Sequence, residues 1–222
     1  MTLVAAIRAE LRAAADPERA PKMQAYMKSA MPFLGVSAPA VRAITSVARR
    51  AHRPADVDEL RDAVVDLWDG AQYREERYAA QNLLRGALGR GDLSLLPLHR
   101  HMAVTGAWWD HVDEVARRIA DLHDAHPMET GVAARGWSRS ENLWLRRLAI
   151  ISQLGRKDRL DTVLLEDVIE PALPEPEFFL RKAIGWALRE HAKTDPAWVI
   201  AYVERNDARL SGLSRREALK NL

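Results

Sequence analysis

Two residues set one helical turn apart open the chemical reading of this sequence: Trp109 and Asp113, within Trp108-Trp109-Asp110-His111-Val112-Asp113. The apolar spacing of Val112, Val115, Ala116 and Ile119 predicts that a helix begins here. Residues at i and i+4 then lie one above the other on a single face. An indole beside a carboxylate suits a flat, electron-poor, positively charged ligand, because the ring face attracts cations and the carboxylate supplies a full opposite charge. The plainer alternative puts Trp108 and Trp109 in the core and both aspartates in water, where most carboxylates sit.

Composition narrows the chemistry. The 222 residues include no cysteine, which excludes disulfides, thiolate zinc sites and thiol nucleophiles, and fits a reducing compartment. No secretory leader and no apolar run long enough to span a bilayer is visible, so the reading is of a cytoplasmic protein without a membrane partner. The net charge is only +2, but 29% of residues are charged and the basic ones are mainly arginine, with a modest carboxy-terminal excess. A polyanionic partner is compatible with this balance if the arginines share one surface. His99-Arg100-His101 and His123-Asp124-Ala125-His126 lack a metal-site pattern, and no glycine-rich phosphate loop occurs, so neither a metal nor a cofactor is expected.

The elements that must hold Trp109 and Asp113 read almost throughout as helix. Leu3, Ile7 and Leu11 mark the first, which stops at Asp16-Pro17. Pro32 and Gly35 break the chain around Met31 to Val36, whose apolar side chains should pin a loop to the core. Ser37 with Pro39 is a cap that opens a helix through Val41, Ile44 and Val47. Further helices are predicted at 57–69, 73–89, 92–103, 108–122 and 125–135. Ser138-Arg139-Ser140-Glu141 has the form of a capping box, placing a helix start near Glu141. Helices near 158–168 and 177–192 follow, then one capped at Asp195-Pro196 and a last one at Ser214-Arg215-Arg216-Glu217.

A weak repeat underlies the succession. Arg42, Arg77, Arg146 and Arg181 recur in similar four-residue contexts at a period near 35, with one beat missing near residue 112. Two helices per period describe a tandem helix-pair solenoid in which neighbouring pairs bury each other's apolar faces. Its arginines would then line one groove, and Asp113 would stand where the repeat predicts a basic residue. A carboxylate among arginines is expected to have a depressed pKa and to be ionised at neutral pH.

Five ordered motifs carry a resemblance. They are Tyr26-Met27-Lys28 with Met31-Pro32-Phe33-Leu34-Gly35-Val36; Trp108 through Asp113; Asn142-Leu143-Trp144-Leu145-Arg146-Arg147; Phe178-Phe179-Leu180-Arg181-Lys182 through Glu190; and the closing Leu210 through Lys220. From about residue 22 to the end, the chain resembles the AlkD-type DNA alkylation-repair glycosylases. The resemblance implies one all-α domain over 1–222, a curved right-handed solenoid of tandem HEAT-like helix pairs with a concave basic groove that holds duplex DNA. It implies hydrolysis of the N-glycosidic bond of cationic alkylpurines such as 7-methylguanine and 3-methyladenine, in base-excision repair. Location would be cytoplasmic and nucleoid-associated when bound to DNA, with no obligate protein partner.

By the same resemblance Asp113 is the essential carboxylate, Trp109 and Trp186 are aromatic walls, Arg147 is a supporting arginine, and Tyr26 is a DNA contact. Ser37 stands where some members carry a longer polar side chain that touches DNA, a departure that bears on the opposing-strand contact. Arg42, Arg146, Arg181, Lys182, Arg189 and Lys220 are expected on phosphates, without sequence preference. Arg147 has two possible jobs, gripping a phosphate or holding Asp113. The phosphate is preferred, because a fully neutralised Asp113 would have a weaker field at the sugar. A damaged-DNA-binding module without catalysis and a protein-interaction scaffold on the same solenoid are the alternatives.

Overall fold

The computed structural model describes residues 1–222 as thirteen α-helices joined by loops and short 3₁₀ turns, with no strand. No helix is long and apolar enough to cross a membrane. The chain divides into two compact units, Met1–Arg90 and Gly91–Leu222.

The first unit holds α1 (Leu3–Ala13), α2 (Ala20–Met27), α3 (Ala38–Ala51), α4 (Val57–Asp69) and α5 (Arg74–Leu83). Helices α3 and α5 pack together, α1 lies against both, and α4 packs on α5 and α1. Ile7, Leu11, Val41, Leu60, Leu67, Trp68 and Leu83 form its core. Ser37 caps α3 as its position predicts, its Oγ accepting from the Ala40 N–H. The loop from Met31 to Val36 is pinned by its apolar side chains, Phe33, Leu34 and Val36 being buried, and also by a buried acid. Glu75 accepts hydrogen bonds from the backbone N–H groups of Leu34, Gly35 and Val36 at 2.9, 2.9 and 3.1 Å. Three charge-assisted bonds make a fully buried carboxylate tenable. The helix expected over 73–89 stops at Leu83; a 3₁₀ turn at Ala87–Gly89 follows Gly86.

The second unit holds α6 (Leu96–Gly106), α7 (Trp109–Ala125), α8 (Pro127–Ser138), α9 (Leu143–Ile151), α10 (Thr162–Ile169), α11 (Phe178–Ala192), α12 (Pro196–Arg205) and α13 (Gly212–Ala218). Helices α7, α9, α11 and α13 are successive neighbours, flanked by α6, α8, α10 and α12, the alternation a helix-pair repeat predicts. Two caps fall elsewhere than expected. Ser138 ends α8, its hydroxyl donating to the Arg135 carbonyl, while Asn142 caps α9 by accepting from the N–H groups of Trp144 and Leu145. Ser211, not Ser214, caps α13; Ser214 lies within the helix and donates to the Arg181 carbonyl at 3.0 Å. That last bond joins α13 to α11 beside Gly185, where a Cβ would come within 2.4 Å of the Glu217 Cβ. Glycine is needed there for the close crossing of two helices.

Candidate active site in the second unit

Asp113 projects from the second turn of α7, one turn after Trp109, so the two share a face as their spacing requires. Across from it on α9 stands Arg147. Its Nε donates to Asp113 Oδ1 at 2.9 Å and its Nη2 to Oδ2 at 3.0 Å, a bidentate pair. Its remaining Nη1 donates to the Phe179 carbonyl in the first turn of α11, at 2.8 Å. One guanidinium thereby ties together three successive helices of the row, and each of its three nitrogens donates.

Burial is unequal within the pair: the Arg147 side chain is 6% exposed and that of Asp113 19%. The arginine therefore stands behind the carboxylate, and the carboxylate keeps an open side. The expectation that Arg147 grips a phosphate is corrected by this geometry, since all three of its nitrogens already donate within the protein and the side chain has little surface. Its position follows from register: Arg146, the residue counted in the repeat, is its neighbour but points elsewhere, to Glu175 and the Pro171 carbonyl.

Burial also reverses the expected sense of the Asp113 titration. Desolvation pushes its carboxyl up to about 6, and the charge and hydrogen bonds of Arg147 pull it back only in part, with Asp110 adding to the rise and Arg117 opposing it. The carboxylate is still about nine-tenths ionised at pH 7 by its pKa.

An aromatic cluster supports the pair. Trp108, Trp144 and Phe179 meet with ring centroids 5.0 to 5.8 Å apart, and the Arg147 guanidinium lies 6.0 Å from the Phe179 ring. Trp144 is buried and Trp108 half-buried; Phe179 is the member whose role the sequence does not single out. Its only signal is the doubled Phe178-Phe179 at the start of a helix. Trp186 is half-buried on the same helix, seven residues after Phe179 and so two turns along a similar face.

The cations expected on phosphates divide sharply. Lys182 and Arg189 both pair with Glu217 of α13, Lys182 at 3.1 Å. The Lys182 hydrogen bond and the charges of both hold the Glu217 carboxyl below the usual range. Arg146 is paired with Glu175. Arg181 is half-buried with its Nε lacking a partner, and Lys220 is exposed. In the first unit Tyr26 is 78% exposed at the end of α2, Ser37 is committed to its cap, and Arg42 is exposed on α3. Arg77 does not continue a row of surface arginines: it lies over the Trp68 ring at 4.8 Å and donates to the Trp68 carbonyl. No group of three or more His, Cys, Asp or Glu is placed to hold a metal. Burial holds His99 and His123 neutral, with values lowered to about 3 and about 4.

An all-helical chain with stacked helix pairs and a part-buried carboxylate braced by arginine defines the class. A family model described as DNA alkylation repair enzyme matches residues 7–222. The chain belongs to that family. A solved structure from Enterococcus faecalis, described as a predicted DNA alkylation repair enzyme, is 30% identical. It superposes with a TM-score of 0.82 over 94% of this chain and 96% of its own. Among curated proteins none matches. Membership of a DNA alkylation repair family implies DNA as the partner.

Proposed function

We propose that the chain is a DNA glycosylase that hydrolyses the N-glycosidic bond of positively charged alkylpurines, such as 7-methylguanine and 3-methyladenine, in duplex DNA. The observation that carries the reading is the Asp113 carboxylate, part-buried, oriented by Arg147 and open on one side. A cationic purine is already a good leaving group, so no general acid is needed. What remains is to stabilise the positive charge that grows on the deoxyribose and to place a water against its anomeric carbon.

Asp113 suits both tasks. A carboxylate offers about four lone-pair sites, and a bidentate arginine takes one from each oxygen, leaving the outer ones for a water and for the sugar's charge. A unit charge pair at about 4 Å with an effective dielectric near 20 is worth roughly 4 kcal/mol. Arg147, about twice as far from the sugar, cancels roughly half of this, leaving about 2 kcal/mol, or about thirtyfold in rate. General-base help to the water supplies a further factor of about 10² to 10⁴. A neutral base departs far less readily, so the same carboxylate selects for cationic lesions. Trp109 and Trp186 supply ring faces that attract the cation and exclude stray water, worth about 1 to 2 kcal/mol each when desolvated. Tyr26, Arg42, Arg181 and Lys220 take phosphates.

The same bidentate pair also favours a second reading, a damaged-DNA-binding module in which Asp113 and Arg147 form only a structural salt bridge. Incubating methylated duplex with the purified protein, and chromatographing any free purine, separates the two. The glycosylase releases 7-methylguanine and its Asp113→Asn variant does not, while both bind DNA. Equal release by the two would remove Asp113 from the reaction.

A further inference from the structure

The first unit carries an arginine cluster that the active site does not use. Two adjoining depressions, of about 370 and 150 Å³, share Arg49 as a wall. Arg50, Arg53, Leu60 and Leu88 are among the residues that complete the larger; Arg42, Thr45, Ser46, Asn82 and Arg85 complete the smaller. Neither is lined by a carboxylate. Elsewhere in this unit arginines are matched: Arg8 and Arg12 to Glu76, Arg19 to Asp16, Arg61 to Asp58. Arg42, Arg49, Arg50 and Arg53 have no acidic partner, and Arg50 is steadied only by donating to the Ser46 hydroxyl at 2.8 Å.

Complementing the helix dipole accounts for Arg49 and Arg50 in the last turn of α3, but not for Arg42 two turns earlier or Arg53 beyond the end. Gly86 points the same way. Its backbone, φ −72° and ψ 162°, is open to any residue, yet a Cβ there would fall 2.0 Å from Arg49 Nη1. Glycine at this position leaves the guanidinium its seat against the backbone.

We propose that Arg49, Arg50 and Arg53, continued by Arg42, form a binding site for consecutive phosphodiesters of a nucleic-acid backbone. Arg42 and Arg49 are two helical turns apart, about 10 Å along α3. Phosphates of one DNA strand advance about 3.4 Å each along the duplex axis, so about three fall within that length. The site carries no base-reading group beyond Asn82, since Thr45 is buried and donates to the Val41 carbonyl, so its contribution is affinity without sequence preference. The proposal rests on the family's DNA partner and not on the glycosidic step.

The test is binding of a labelled undamaged duplex by fluorescence anisotropy, from roughly 50 to 200 mM salt. The slope of log K against log salt should become shallower by about 2.7 in Arg49→Gln/Arg50→Gln/Arg53→Gln, about 0.9 for each phosphate left without its cation. The corresponding triple lysine variant should keep the wild-type slope, because charge is retained. Arg61→Gln, which removes an arginine already paired, should leave it unchanged. Gly86→Ala, which displaces Arg49 alone, should make it shallower by up to about 1. A wild-type slope in the glutamine variant overturns the proposal, as does a lysine variant that behaves like it. If the glutamine variant does not melt cooperatively, the lysine and Gly86→Ala variants decide the matter. Base release is not read, so a wild type that binds steeply yet frees no purine contradicts the glycosylase reading alone.

Discussion

Both units contain arginine-rich helices, but they use the charge differently. On α3 of the first unit and just past its end, Arg42, Arg49, Arg50 and Arg53 face open depressions with no carboxylate beside them. On α9 and α11 of the second, Arg146, Arg147, Lys182 and Arg189 are matched to Glu175, Asp113 and Glu217. A cation already paired with a protein carboxylate must lose that partner, or share it, before it gains by binding a phosphate. The number of arginines on a helix therefore says little about grip, and their pairing says most of it. In the second unit the cations fix geometry, one setting the plane of Asp113 and two holding α13 against α11. In the first they remain available to a ligand.

The largest effect that tests this contrast is at Asp113. Asp113→Asn should lower 7-methylguanine release by about 10³-fold or more, read by single-turnover chromatography, with duplex affinity retained. A fall of less than about tenfold would break the assignment of pairing to chemistry in this unit.

Arg147 comes next. Arg147→Gln removes the influence that lowers the Asp113 value, so the midpoint of the acid limb should move from about 6 upward by about 1 to 3 units. Release at pH 7 should then fall by about twofold for a one-unit rise and about ninetyfold for a three-unit rise, and recover in more alkaline buffer, a rescue that Asp113→Asn cannot show. Stability follows the same titration with its own sign. The folded value lies above the ordinary 3.8, so the stabilisation tied to the protonated carboxyl is fully present below pH 3.8 and is lost as pH rises through 6. Ionised at neutral pH, the buried carboxylate costs about 3 kcal/mol. Denaturant melts of the wild type at pH 5 and pH 7, compared with those of Asp113→Asn, separate this contribution from the opposite one of the buried neutral His99 and His123.

Glu217→Gln should erode the difference between the units from the other side. With their carboxylate neutralised, Lys182 and Arg189 become free, and affinity for undamaged duplex should rise about three- to tenfold with a steeper salt slope. An unchanged affinity would mean that neither cation reaches DNA. The smallest effect is local: Ser37→Ala removes the α3 cap and should cost about 1 kcal/mol in a chemical melt.

The helical framework was legible because its signals are short-range. Leu3, Ile7 and Leu11 place α1, Ser37 with Pro39 opens α3, and Val57–Asp69 lies where periodicity puts it. The misplaced caps at Ser138 and Ser214 show the reach of such signals, since Asn142 and Ser211, three or four residues away, offer equivalent oxygens, and only tertiary packing chooses among them. Asp113 with Trp109 was legible from spacing. The Asp113 pairing and titration were not, because both depend on which of two adjacent arginines faces inward, and on how much water is left. Arg146 and Arg147 differ by about 100° around the helix, and a repeat counted in fours does not distinguish them. Glu75 is an extreme case: nothing local marks a glutamate that accepts from three backbone groups some forty residues earlier.

The most direct measurement is the pH dependence of single-turnover purine release from duplex carrying 7-methylguanine, between pH 5 and 8. With a cationic leaving group and one working carboxylate, release should rise through a single limb with its midpoint near 6 and then level off, and Asp113→Asn should abolish the limb. Release that is flat across this range, or that persists with its limb intact in Asp113→Asn, would contradict the account.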